Sequence, residues 1–337
     1  LVMLFSAGAV KGAEQLLFKQ IIWLGLSLII GIYAAFINLE WLRGNGWWIW
    51  GACLFFLVLA LIPSIGVKVN GAQRWIGFGP LRVQPSEFAK IGLVLVLASH
   101  FSTHQRHVGS FVRGFLIPTG IVAAVCGLII IQPDFGTCFL CGVVAMTMMF
   151  QAGSSLKWLL PISGLAVLAF SILVYFDPVR IRRVTSFLDV EANSNDSAYQ
   201  LWQGMLAFGV GGVQGVGLGL GRQQLHFLPE AHTDYIISVI SEEFGVVAIM
   251  LILLLFLILI YMVFKKISFE TNDKAKLILI GSISLILMQA TIHIGVNIRL
   301  FPTTGMTLPF LSYGGSSIIS TSILAGIILN LTKRKIT

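Results

Sequence analysis

Uninterrupted apolar stretches of about 18 or more residues recur from one end of this chain to the other, and each, wound as a helix, is long enough to cross roughly 30 Å of hydrocarbon. A soluble core has no use for so many. The composition agrees: 57% of the 337 residues are hydrophobic and only 11% charged, whereas charged residues make up about 25% of a typical soluble domain. Hydropathy divides the chain into ten segments, at about 1–10 (partial), 18–37, 47–65, 85–102, 113–131, 135–152, 156–175, 236–264, 275–297 and 309–332. The expected fold is therefore an all-α polytopic membrane protein of about ten transmembrane helices with one large extracytoplasmic loop. Leu1 to Val10 read as the second half of a spanning helix, a truncated start and not a signal peptide, because no basic stretch precedes them and no small-residue cleavage site follows.

An even number of spans puts both termini on one side. Lys333, Arg334, Lys335, Lys265, Lys266, Lys274, Lys276, Arg43, Arg106, Arg113 and Lys157 share that side, which the positive-inside rule makes cytoplasmic. The opposite side keeps nearly as many cations: Lys11, Lys19, Lys68, Arg74, Arg82, Arg180, Arg182, Arg183, Arg222 and Arg299. An anionic ligand on the outer face is one reason to retain them; translocation of a long loop regardless of its charge is the other. That loop runs from Asp177 to Thr233 and is the only sizeable extramembrane stretch, so chemistry outside the membrane is expected there.

Several motifs have glycine spacings or polar clusters that call for a choice between structure and chemistry. Gly209 to Gly221 (GVGGVQGVGLGLG) is no nucleotide loop, because neither a strand-turn-helix context nor a G-K-[ST] accompanies it. It suits backbone approaching backbone, a re-entrant or surface-hugging segment, or a flexible loop. In Leu228 to Gly245 (LPEAHTDYIISVISEEFG), Glu230, His232, Thr233 and Asp234 stand just before an apolar run, where Asp234 either caps the helix or meets a ligand at the membrane boundary. Glu242 and Glu243 follow at a depth where carboxylates need partners, with Lys90 or Arg299 as candidates.

In Asn70 to Lys90 (NGAQRWIGFGPLRVQPSEFAK), an outer loop, Trp75 reads as an interfacial anchor. Glu87 and Lys90, three apart on a helix, either pair with each other or leave Lys90 to form a diphosphate clamp with Arg82. The small residues of Asn297 to Ser317 (NIRLFPTTGMTLPFLSYGGSS) suit close helix packing. Asp134 in QPDFGT is expected to cap the sixth helix, and His293 to bond a neighbouring helix. Cys53, Cys126, Cys138 and Cys141 all lie in apolar segments and read as packing residues.

Taken together and in this order, GAQRWI, LRVQPSEFAK, QPDFGT, FLPEAHTDYI, SEEFG and PTTGMTLPFLSYGGSS resemble the SEDS family (shape, elongation, division and sporulation) over nearly the whole chain. The wording of LPEAHTD and TGMTLPFLSYGGSS is nearer its division branch, FtsW, than its elongation branch, RodA. The resemblance implies one transmembrane domain, 1–337, in the bacterial cytoplasmic (inner) membrane at the division site. It also implies a peptidoglycan glycosyltransferase that polymerises lipid II on the outer face, transferring a growing glycan from its undecaprenyl diphosphate carrier. The family's essential aspartate maps onto Asp234, the catalytic base, and its basic residues onto Arg82 and Lys90, which meet the leaving diphosphate. Arg74, His232, Glu230 and Ser312, which stand in these motifs, and Arg299, just before the last of them, complete the candidate substrate-binding set. A divalent cation, Mg or Mn, and a class B penicillin-binding transpeptidase are the implied cofactor and partner. A lipid II flippase or other transporter, or a scaffold for that transpeptidase, are the competing readings.

Overall fold

A backbone surrounded by hydrocarbon must satisfy its own N–H and C=O groups, which makes helices of the apolar runs. The computed structural model describes residues 2, 13–69, 71–78, 81–193, 196, 198–223, 227–228 and 230–333. The expected span at 1–10, apart from Val2, and the basic Arg334 and Lys335 lie outside the described residues. The other nine expected spans are all helical: α1 (Ala13–Phe36), α3 (Gly46–Leu61), α4 (Pro85–Thr103), α5 (Ile117–Ile131), α6 (Phe135–Gln151), α7 (Leu156–Tyr175), α10 (Ile236–Phe269), α11 (Asp273–Asn297) and α12 (Gly315–Lys333). A short α2 (Leu39–Gly44) precedes α3. Among the described residues, six helical stretches are long and apolar enough by themselves to cross a membrane: α1 from Gln15, α5 with the π-helical turn that leads into it, α7, α10, α11 and α12. The chain is a polytopic helical membrane protein.

Helix starts follow local chemistry. Asp134 caps α6 by accepting the Thr137 N–H at 3.3 Å, as its place in QPDFGT predicts. Pro85 opens α4, at a position whose N–H would have no helical partner anyway.

Two parts of the extramembrane sequence hold more structure than their reading as loops suggests. Residues 66–83 form a three-stranded antiparallel sheet, β1 (Gly66–Val69), β2 (Ala72–Phe78) and β3 (Leu81–Val83), with Ile76 paired to both Gly66 and Val83. The all-α expectation therefore holds for the spans but not here. Alternation explains it, since Ala72 and Ile76 turn to one face and are buried, with Arg74 between them half-buried. The long loop 177–233 contains two helices, α8 (Pro178–Leu188) and α9 (Tyr199–Gly211). Asp177 caps α8 through the Val179 N–H at 2.9 Å, and Pro178 occupies its first turn.

The contacts divide the chain into two compact units. The first comprises 1–25, 164–259 and 289–314, the second 26–163, 260–288 and 315–337. The core of the first unit gathers Ile236, Ile237, Ile240 and Ile249 with Ala290 and Leu308. In the second, α4 is buried along nearly its whole length, with Leu93, Val94, Val96 and Leu97 at most 1% exposed. All four cysteines are free, consistent with packing roles.

Candidate active site

Asp234 lies in a tight turn that leads into α10, and the turn is held from several directions. The carbonyl of Glu230 accepts the N–H of both Thr233 and Asp234 at 3.1 Å. The Asn297 side-chain amide donates to the Asp234 carbonyl at 3.0 Å and to the His293 carbonyl at 2.9 Å, while its oxygen accepts the Ser238 hydroxyl at 2.8 Å. Ser312, 1% exposed, donates to the Thr233 carbonyl at 2.7 Å and accepts the Leu308 N–H at 2.8 Å. The Tyr313 N–H reaches the His232 carbonyl at 2.8 Å. Ser312, expected among the substrate-binding residues, is thus fully occupied as a clasp between two backbone segments.

With its backbone so fixed, the half-buried Asp234 side chain borders a cavity of about 20 Å³. Gln200 from α9, His293 from α11, and Thr303, Thr304 and Gly305 line it as well. Gly305 has φ +69°, which glycine allows, and a Cβ there would stand in ordinary contact with Asp234 Oδ2 at 3.6 Å. His293 Nδ1 is 2.7 Å from the carbonyl of Met306, so its bond goes to the non-helical segment after α11 and not, as expected, to a neighbouring helix. Gln200, Asn297, Thr303 and Thr304 were not singled out as site residues. The threonines lie in a run of small residues that reads equally well as helix packing.

Around the turn, His232 is half-buried and its ring meets Tyr313 edge-on at 6.2 Å. Burial lowers the His232 pKa, with the nearby Glu230 carboxylate opposing the shift, and burial raises that of Tyr313. Glu230 is exposed and accepts the Thr233 hydroxyl at 3.2 Å. Arg299 is half-buried and donates to the Leu188 carbonyl at the end of α8, at 3.4 Å.

The deeper carboxylates have partners other than those expected. α10 breaks at Gly245 (φ 72°, ψ −173°), and the glycine-rich segment lies backbone to backbone along the break. The Val216 and Gly217 N–H groups donate to the Glu242 and Glu243 carbonyls at 2.9 and 3.0 Å, and the Val246 N–H to the Gly212 carbonyl at 3.0 Å. A Cβ on Gly245 would come within 2.2 Å of the Val213 carbonyl oxygen. The Glu242 carboxylate accepts the Arg222 N–H at 2.7 Å and the Gln223 N–H at 3.2 Å, and Glu243 the Gly219 N–H at 3.3 Å. Neither Lys90 nor Arg299 was needed for Glu242, because the loop's own amides do the work of a cation. Close backbone approach is the role the glycines fill.

The second unit gathers a separate polar cluster from the other motifs. Lys90, 3% exposed, pairs with Glu87 at 2.9 Å, and Glu87 also accepts the Ser320 hydroxyl at 2.7 Å. Asp134 stands 3.7 Å from Arg74 and accepts the Gln84 amide at 3.1 Å, while the Gln84 N–H donates to the Ser316 hydroxyl at 2.9 Å. Arg82 is exposed on β3, opposite Gly77. The structure thus brings Asp234, His232, Glu230 and Ser312 together on one clasped turn, and sets Arg74 and Lys90 in this other network.

Among the described residues no group of three or more His, Cys, Asp or Glu is placed to hold a metal ion. The Asp234 carboxylate, in a cavity that Thr303 and Thr304 also line, does fit the sparser kind of site that Mg²⁺ takes, where waters and substrate phosphates supply the remaining ligands.

A polytopic helical membrane protein with a clasped carboxylate at a small polar cavity is the class that fold and site define. The profile of the FtsW/RodA/SpoVE family, described as cell cycle protein, matches residues 1–336, and the chain belongs to that family. It is 37% identical over 319 residues to the "Probable peptidoglycan glycosyltransferase FtsW" of Allochromatium vinosum, covering 93% of this chain and 79% of that one. It is 36% identical over 347 residues to stage V sporulation protein E of Bacillus subtilis, covering 99% and 93%. Among solved structures, it is similar to a chain from work on the structural coordination of polymerization and crosslinking by a peptidoglycan synthase complex. There the TM-score is 0.81 at 28% identity, covering 98% of this chain and 93% of that one. The rod shape determining protein RodA of Thermus thermophilus gives a TM-score of 0.70 at 29% identity, covering 98% and 90%.

Proposed function

We propose that this chain is a peptidoglycan glycosyltransferase that polymerises lipid II into glycan strands, with Asp234 as the general base. The observation that carries the reading is that Asp234 lines a cavity while Asn297, Ser312 and Glu230 hold the backbone beneath it. In the reaction the carboxylate takes the proton of the 4-hydroxyl of the N-acetylglucosamine of lipid II. That oxygen attacks the anomeric carbon of the growing glycan, whose bond to the carrier's diphosphate oxygen breaks, and the electron pair leaves with undecaprenyl diphosphate. Arg82 and Lys90, with Arg74 and Arg299, supply positive charge for the leaving group. Glu230 and His232 line the approach to the acceptor. A bound Mg²⁺ or Mn²⁺ held by Asp234 and substrate phosphates would neutralise further charge on the diphosphate.

The reaction needs residues 177–233 on the outer side of the inner membrane and both termini in the cytoplasm, an orientation supported by the basic loops. A cysteine placed at Asn193 is then labelled from outside by an impermeant reagent. The solved synthase complex, whose subject is polymerization together with crosslinking, supports a class B penicillin-binding transpeptidase as partner. The relatives named FtsW support action at the division site.

Purified protein reconstituted with lipid II, alone and with its transpeptidase, tests the reading: glycan polymer is the expected product. Translocation without polymer points to a flippase, and no reaction with the partner present to a scaffold. Asp234→Asn at matched membrane levels is expected to insert normally and to lose about 10² to 10⁴ in rate. Asparagine caps a helix about as well as aspartate, so near-normal synthesis would leave Asp234 only a structural role.

A further inference from the structure

His293 holds a buried nitrogen that the fold does not use. The Met306 carbonyl, 2.7 Å from Nδ1, can only accept, so Nδ1 carries the hydrogen and Nε2 of the neutral ring is left as a lone-pair acceptor. That Nε2 is buried with no hydrogen-bond partner among the described residues, and the side chain is only 1% exposed. Buried acceptors are normally satisfied, and each exception asks for a ligand or a water. His293 lines the same cavity as Asp234, whose volume of about 20 Å³ is enough for one hydroxyl or one water beside the ring. A carboxylate and an imidazole lone pair both accept, so the complement of the pair is a group that offers two O–H protons close together. Two neighbouring hydroxyls of a sugar do this, and so does one water.

Resting on the glycosyltransferase reading, we propose that His293 is a positioning residue that accepts a hydrogen bond from the hydroxyl beside the reacting one, or from a water in its place, and so turns the acceptor oxygen toward Asp234. The proton that leaves the reacting hydroxyl goes to Asp234, and His293 stays neutral throughout. Specificity follows: an acceptor lacking the neighbouring hydroxyl leaves Nε2 bare and is used poorly.

Two kinds of measurement test this. The ¹⁵N imidazole resonances of the purified full chain, assigned by their loss in His293→Gln, report whether Nε2 accepts a hydrogen bond and need no turnover. A hydrogen-bonded shift before lipid II is added identifies the water, and a shift only on adding lipid II identifies the sugar hydroxyl. A free-acceptor shift under both conditions overturns the proposal. In polymerisation assays, His293→Gln keeps an acceptor near the Nε2 position and His293→Leu removes it, while both lose the tie to Met306. The Leu variant is expected to fall about three- to tenfold below the Gln variant, in KM for lipid II if the sugar hydroxyl is held and in kcat if a water is. Equal losses in both variants, with equally lowered melting temperatures, would leave only the Met306 tie and overturn the idea. If the wild-type chain makes no polymer at all, it is the glycosyltransferase reading that fails, and the resonance measurement still decides the role of His293.

Discussion

The side-chain amide of Asn297 donates to the backbone carbonyl of Asp234 at 3.0 Å, so the last turn of α11 holds the main chain of the proposed base while the carboxylate itself faces the cavity. Asn297 is fully buried and makes three hydrogen bonds in all, to Asp234, His293 and Ser238. Asn297→Ala leaves buried groups without partners and is expected to cost about 1 to 3 kcal/mol in stability. Polymerisation should fall by up to about 10², because a displacement near 1 Å at a reacting group costs that much. Thermal melting and glycan synthesis at matched protein levels check both; an unchanged rate means the clasp does not position the base.

Lys90 and Glu87 pair at 2.9 Å with both side chains buried, so a single change leaves an uncompensated charge. Lys90→Ala alone is expected to destabilise by about 3 to 5 kcal/mol, and the double variant Glu87→Gln with Lys90→Met to recover most of that. If Lys90 also serves the diphosphate, the double variant is stable and still polymerises poorly. Normal synthesis by the double variant would confine Lys90 to structure.

Arg82 makes the opposite forecast because it is exposed on β3. Arg82→Ala should melt as the wild type does and lose about 2 to 4 kcal/mol of transition-state stabilisation. A lowered melting temperature with normal synthesis would remove it from the site.

Glu242 holds the glycine-rich segment through the Arg222 and Gln223 amides. Glu242→Ala is expected to cost about 1 kcal/mol or somewhat more, since it strips two part-buried N–H groups of their acceptor. Gly245→Ala should be worse. Its φ of 72° is strained for any side chain and its Cβ would collide with the Val213 carbonyl, so membrane levels of that variant should collapse.

Burial lowers the His232 pKa below its ordinary value of 6.5. A depressed folded-state pKa means that the stability tied to the neutral ring is full above the unfolded value and is lost as pH falls through the folded one. Melting of wild type and His232→Gln should therefore converge or cross as pH drops below 6.5, while their difference stays constant above it. A constant difference down to pH 5 would show that His232 titrates as if unfolded.

Apolar run length alone determined that this chain spans a membrane many times, because nothing else satisfies so many helices, and Asp134 as a cap follows from one residue's position before an apolar run. Asp234 stood out by its place before a span, as a cap or a ligand contact, and its reading as the base came from the family resemblance. The tertiary structure decided what each polar group touches. The sequence offered Lys90 or Arg299 to Glu242, yet backbone amides 19 to 20 residues earlier took that place, since the glycine-rich segment brings its N–H groups directly onto the broken helix. The small residues entering α12 read as packing and Ser312 as a substrate contact; folding turned Ser312 into a clasp under Asp234, and Ser316 and the later Ser320 into partners of Gln84 and Glu87. Hydropathy reports the cost of leaving water, which each residue carries with it, whereas a hydrogen bond needs two groups at about 3 Å, and only the folded chain brings them there.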